Sequence, residues 1–152
     1  MEKDQYSTST LLDVLRSADI QDIPQYSRTY LQGREPSFVA YMDELIAAKG
    51  LKRQDIFQRA DLPQKYGYKL LTGESHTRDR DKLLRLFFAM DLTYAQVRRA
   101  LALYGMPALY PKSKRDAILI IAFNRGYTGV DEVDRLLAEN GEAPLSRSGN
   151  FP

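Results

Sequence analysis

Apolar residues along the chain recur mostly at helical spacing, and no stretch rich in Val, Ile and Thr alternates with polar residues for long enough to argue for a sheet. The pattern predicts an all-α fold. After Pro36, Ser37 can cap a helix whose Phe38, Tyr41, Met42, Leu45 and Ile46 follow the i, i+3, i+4, i+7, i+8 stripe and which ends at Gly50. A second helix is expected from about Lys52 to Ala60, with Ile56, Phe57 and Ala60 inward. A third starts near Pro63, a residue suited to a first helical turn, and ends before Gly73. The fourth, about Asp79 to Met90, carries Leu83, Leu84, Phe87 and Met90 on one side. Thr93 and Gln96 form a capping-box pair opening the fifth, in which Tyr94, Val97, Leu101 and Tyr104 keep register.

Flanking segments follow the same logic. Leu11, Leu12 and Leu15 predict a short amphipathic helix, and the polar stretch after it, with Pro24, Gly33 and Pro36, reads as a linker or partly ordered arm. Beyond Gly105, Ser113 and Asp116 cap the apolar run AILIIAF, and Val130, Val133, Leu136 and Leu137 stripe a last helix closed by Gly141. The run is apolar all round. Burial in this chain's own core is the preferred reading, with a face against a second copy as the alternative. The expected organisation is an N-terminal helix and linker arm over 1–35, a five-helix domain over 36–105, a two-helix C-terminal extension over 106–145 and a flexible tail over 146–152.

Composition changes this picture little. With 152 residues and 43% apolar content the chain can build a core. The absence of cysteine, an apolar run no longer than Ala117 to Phe123, and a polar start unlike a secretory signal lead to the expectation of a cytoplasmic protein with no membrane partner. Charge is more informative. The net +2 hides a middle segment, Lys49 to Arg115, holding 15 lysines and arginines against 6 aspartates and glutamates, net +9, between flanks that hold 7 against 14, net −7. Such a division points to a middle that meets a polyanion, unless charge is merely scattered unevenly.

The second and third helices are joined by only Asp61 and Leu62, which predicts a steep crossing, a helix-turn-helix. On the third, Pro63, Gly67, Leu70 and Leu71 share one face. Glycine costs about 1 kcal/mol against alanine within a helix, so close approach of another helix is expected at Gly67. The opposite face carries Gln64, Lys65, Tyr68, Lys69 and Thr72, with no carboxylate. These are donors, cations and an aromatic suited to base edges in a major groove. Lys52, Arg53, Arg78, Arg80 and Lys82 around it are candidate phosphate contacts, and an ordinary solvated polar face is the competing reading.

The span from Phe38 to Tyr104 resembles the lambda-repressor-like helix-turn-helix domains of the Xre type, with LKRQDIFQRADLPQKYGYKLLTG covering the motif. YGYKLLTG, RDKLLRL and LYPKSKRDAILI look like a group of poorly characterised bacterial transcriptional regulators, extending the likeness nearly to residue 145. The resemblance implies operator binding by dimers through the third helix. The chain departs from the usual pattern at Phe57, where a small residue is common, at Asp61 in place of the turn glycine, at Pro63 in place of the capping serine or threonine, and at Leu71 in place of a frequent glutamate.

Other chemistry finds little support. His76, the one histidine, lies in a charged loop, Asp79 and Asp81 are interleaved with cations, and no phosphate-binding glycine loop or dinucleotide fingerprint occurs. Lys112, Lys114 and Arg115 crowd the expected start of the AILIIAF helix, where a phosphate or carboxylate partner would relieve them. The expectation is therefore a transcriptional regulator that docks Pro63 to Thr72 in the major groove of double-stranded DNA, a homodimer in keeping with its relatives, with no catalytic residue, metal or cofactor. The alternative from another class is a non-enzymatic adaptor or antitoxin-like protein whose same surface grips an acidic protein partner.

Overall fold

The computed structural model describes residues 7–31 and 36–145, and all the regular structure among them is helical. Two compact units divide the chain, the first reaching Ser37 and the second beginning at Phe38. The tail expected to be flexible over 146–152, and Gly33 of the expected linker, lie outside the described residues.

In the first unit, α1 (Thr8–Arg16) starts at Ser7, whose hydroxyl accepts the Thr10 N–H at 3.2 Å. The segment expected as a linker or partly ordered arm is wound into successive turns: a 3₁₀ turn over Ile20–Asp22, α2 (Ile23–Tyr26) and a π-helical turn over Ser27–Leu31. Two local devices support these turns. Asp19 and Asp22 form a reciprocal cap, with the Asp22 carboxylate accepting the Asp19 N–H at 2.8 Å, and Pro24 stands in the first turn of α2, where its missing N–H costs nothing.

The second unit holds α3 (Phe38–Lys49), α4 (Arg53–Ala60), α5 (Gln64–Thr72), α6 (Arg80–Ala89), α7 (Tyr94–Tyr104), α8 (Lys114–Asn124) and α9 (Val130–Glu139). Its boundaries follow the caps that the sequence carries. Asp79 caps α6, Thr93 and Gln96 complete their capping box, and the Ser113 hydroxyl accepts the Asp116 N–H at 3.2 Å. Pro63 is the N-cap of α5 rather than its first helical residue, and its carbonyl accepts the Gly67 N–H at 2.9 Å.

Helix α6 is the axis of the core. Every residue from Lys82 to Met90 is buried, polar ones included, so no outward face remains of the one-sided stripe expected for it. One side packs on α4. On the other, α9 lies against it and Phe123 of α8 stacks on Phe88, with ring centroids 3.7 Å apart. The AILIIAF run accordingly turns Leu119, Ala122 and Phe123 inward, as the preferred reading held, and leaves Ile121 55% exposed.

Arginines tie α6 to its neighbours by exchange. Arg85 of α6 donates to the carbonyl of Ala60 at the end of α4, while Arg59 of α4 donates twice, at 2.8 and 3.1 Å, to the carbonyl of Ala89 at the end of α6. Each guanidinium meets carbonyls that a helix end leaves without partners, where the backbone dipoles favour a cation. At the other end, Arg80 of α6 pairs with Asp116 of α8 at 2.8 Å, and Arg115 of α8 pairs with Asp81 of α6 at 2.9 Å. Asp81 is thus a carboxylate partner for Arg115, one of the three cations at the start of α8, while Lys112 and Lys114 stay exposed.

Close approach at Gly67 is confirmed in atomic detail. A Cβ built there would meet the Phe57 ring, 2.7 Å from Cε1 and 3.0 Å from Cγ and closer still to Cδ1. The large residue on α4 and the hydrogen on α5 are two halves of one contact. Replacing Gly67 with Leu should therefore destabilise the protein by about 1–3 kcal/mol or more, through overpacking that helix propensity cannot offset, and an undiminished melting temperature would contradict the contact.

Tyr104 closes the end of α7 against the loop after α5. Its hydroxyl accepts the Thr77 N–H at 2.6 Å, its ring meets Phe38 edge-on, and His76 stacks on it at 4.3 Å. His76 therefore has an aromatic neighbour that its charged loop does not advertise. Burial pushes the Tyr104 phenol above its ordinary value of 10.0, against the lowering effect of the Thr77 hydrogen bond. Because the folded state keeps the proton to higher pH than the unfolded chain, this stability is complete below the ordinary value and is lost as pH rises through the folded one. Melting temperatures measured above about pH 10 should fall more steeply for the wild type than for Tyr104→Phe, which should itself be about 1 kcal/mol less stable at neutral pH.

Candidate nucleic-acid interface

The α4–α5 connection is three residues long, Asp61 to Pro63, and turns at Asp61, which adopts the left-handed conformation with φ 55° and ψ 49°. Aspartate tolerates that region better than most side chains. Leu62 then drops into the core, and its N–H reaches back to Phe57 O at 3.1 Å. With Gly67, Leu70 and Leu71 buried against the body, α5 is left with a single open side. Tyr66 joins the inward set, whereas its neighbour Tyr68 is 53% exposed.

On that open side stand Gln64, Lys65, Tyr68 and Thr72, all exposed, with Lys69 half-buried beside them. The Thr72 hydroxyl turns back to Lys69 O at 3.4 Å. The first turn of α5 faces the first turn of α4 across an open groove of about 510 Å³, lined by Arg53, Gln54, Phe57, Gln64, Lys65 and Tyr68. Its floor is aromatic and its walls carry two cations and two amides. Gln54 and Phe57 were not expected here. They lie one turn apart on the second helix, and only the packing of that helix against the third brings them to the groove.

The expected phosphate contacts separate into two groups. Lys52 and Arg78 are exposed. Arg53 is half-exposed and paired with Asp43 of α3, an exposed pairing worth at most about 1 kcal/mol and so readily exchanged for another anion. Arg80 and Lys82, by contrast, are engaged inside the fold, which corrects their expected role. Arg80 binds Asp116 and reaches the carbonyls of Ala108 at 3.2 Å and Pro107 at 3.5 Å. Lys82 is only 4% exposed, lies 3.8 Å from the Asp79 carboxylate and sits over the Tyr66 ring. For Arg80 the reason is long-range, since the segment leading into α8 and α8 itself supply its acceptors; Lys82 is held by Asp79, three residues back, and by the Tyr66 ring of α5.

The same accounting revises the basic middle of the chain. Lys49 donates to Asp91 O, Arg59 to Ala89 O, Arg85 to Ala60 O and Arg115 to Asp81, and Arg99 lies over the Tyr41 ring at 5.4 Å. Much of the net +9 is consumed in holding helices together. Outward charge comes from Lys52, Lys65, Arg78, Arg98, Lys112 and Lys114. Among the described residues, no group of three or more His, Asp or Glu side chains is placed to hold a metal, and no helix is long and apolar enough to cross a membrane.

No protein-family model, curated protein or solved structure matches this chain. What it binds must be argued from the surface itself.

Removing Arg80 should expose the difference between an engaged and an outward cation. Arg80→Ala leaves the buried Asp116 carboxylate without its cation, held only by the Tyr110 N–H, and should cost on the order of 3 kcal/mol by denaturant unfolding, whereas Lys65→Ala should change stability by less than about 0.5 kcal/mol.

Proposed function

We propose that this protein binds double-stranded DNA by seating α5 in the major groove, with the start of α4 against the sugar–phosphate backbone, and that it regulates transcription as a dimer. The observation that carries this reading is the juxtaposition of an immobilised helix with an outward donor face. Gly67 locks one side of α5 onto Phe57, so Gln64, Lys65 and Tyr68 on the other side are held on a rigid support at the rim of a basic groove. An α-helix with its side chains is about 10–12 Å across and the major groove is about 12 Å wide, so the dimensions agree.

In this reading α4, the three-residue turn and α5 are a helix-turn-helix, α3 to α7 are a five-helix lambda-repressor-like arrangement, and α8 and α9 are an extension that completes the cover of α6. The sequence resemblance points the same way. Gln64, the first residue of α5, can bond adenine in a bidentate fashion, and Lys65 can reach guanine or phosphate. Tyr68 can stack or contact phosphate, and Lys69 and Thr72 extend the face. Arg53 can trade Asp43 for a phosphate, and Lys52 and Arg78 flank it. A dimer would read half-sites about one helical turn, roughly 34 Å, apart.

The aromatic floor of the groove supports a second reading, in which an acidic protein segment places an apolar side chain over Phe57 and Tyr68. Selection from a random duplex library with sequencing separates the two: a recovered motif supports DNA, and retention of no duplex at low salt favours the protein partner. In the duplex reading, Lys65→Ala with Lys69→Ala should weaken binding without unfolding the protein, and the slope of log affinity against log salt should shrink by about 1–2. Unchanged binding by the double variant would remove α5 from the interface.

A further inference from the structure

Arg85 joins two parts of the chain far apart in sequence: the turn that launches α5, and residues 142–145 after α9. Its side chain is fully buried. Nε donates to Ala60 O at 2.9 Å, Nη2 approaches Asp61 O and the Asp61 carboxylate at 3.5 Å, and Nη1 donates to Leu145 O at 3.3 Å. One guanidinium therefore grips the carbonyls on either side of the Ala60–Asp61 peptide step and, with its remaining edge, the C-terminal segment.

That segment is held at consecutive main-chain groups. Arg115 donates to the carbonyls of Ala143 and Pro144, each at 3.0 Å, and the Leu145 N–H donates to the Asp134 carboxylate of α9 at 2.8 Å. The Leu145 side chain is 1% exposed within the core. Residues 142–145 thus form a strap, strung between charged side chains and anchored by one leucine.

The two grips depend on each other. A buried guanidinium carries five N–H donors, and each one left without an acceptor is penalised. When Leu145 leaves, either Arg85 turns to follow new partners or water enters beside it. Both weaken its bonds to Ala60 and Asp61, the first by geometry and the second by raising the local dielectric. Asp61, like Asp91, is a non-glycine residue held in the left-handed region, so its turn relies on such outside support.

We propose that the strap is a latch on the α4–α5 turn: seated, it commits Arg85 to the turn and holds α5 in place; released, it loosens the turn and lowers affinity for duplex DNA, although it contributes no residue to the interface. The effect on DNA rests on the reading of α5 given above. The coupling between strap and turn does not.

Amide hydrogen exchange on the full chain tests the coupling without DNA. Leu145→Gly withdraws the anchor, and Asp134→Ala removes the acceptor of the Leu145 N–H while keeping the leucine, so the second variant serves if the first does not fold. In either, the amides of Asp61, Leu62 and Gly67, bonded to Gln58, Phe57 and Pro63, should exchange about tenfold faster, the factor expected for loss of roughly one hydrogen bond. The Val97 amide, bonded to Thr93 in α7, should keep its rate. Acceleration confined to Gly141 and Glu142 at the start of the strap, or equal acceleration at Val97, would overturn the latch.

Duplex affinity, measured at low salt on a random-sequence duplex, should fall about tenfold in the same variants under conditions where they remain folded. Faster exchange at the turn with unchanged duplex affinity would overturn the regulatory role. If the wild type binds no duplex yet the exchange result holds, the DNA reading fails and the coupling stands.

Discussion

A fully buried arginine at the centre of an apolar helix is the constraint around which this molecule is arranged. Removing a guanidinium from water is costly, and the cost is offset only where geometry supplies an acceptor for each edge. Arg85 finds those acceptors at the end of α4 and at Leu145, and among the described residues no buried side-chain nitrogen or oxygen lacks a partner. The position of the α4–α5 turn, the closing of the C-terminal segment and the burial of α6 on all sides are therefore linked conditions. Each is needed for the arginine to be there.

The exchange of arginines extends this logic across the second unit. Arg85 and Arg59 each cap the other's helix, and Arg80 with Asp116 is mirrored by Arg115 with Asp81. These pairs are directional where apolar contacts are not. They set how α6 sits against α4 and α8, leaving Phe88 on Phe123 and the other core contacts to supply the bulk of the burial energy. Function and architecture thus draw on the same residue type. A cation consumed as a helix cap is lost to a ligand, and part of the outward charge that remains stands on α5 itself, at Lys65.

The candidate site was partly legible. The outward face of α5 could be read because a nine-residue helix with glycine and leucines on one side must turn Gln64, Lys65 and Tyr68 the other way. Its groove could not, since it depends on Phe57 of one helix facing the gap left by Gly67 of the next. The departures at Phe57 and Asp61 look different once seen in place: the first fills the space that Gly67 vacates, and the second adopts the left-handed geometry a glycine would have supplied.

By itself the sequence determined what depends on near neighbours: helical periodicity, the caps at Thr93 and Ser113, the helix ends at glycine, and the inward stripes of α3 and α4. These interactions span four residues or fewer, so spacing encodes them. Only the tertiary structure decided which cations remain outside. Arg80 and Arg85 belong to a basic stretch of sequence, yet the groups that engage them come from α4, from the loop before α8, from α8 and from the segment after α9. Charge is written residue by residue, whereas desolvation depends on which remote atoms arrive beside it.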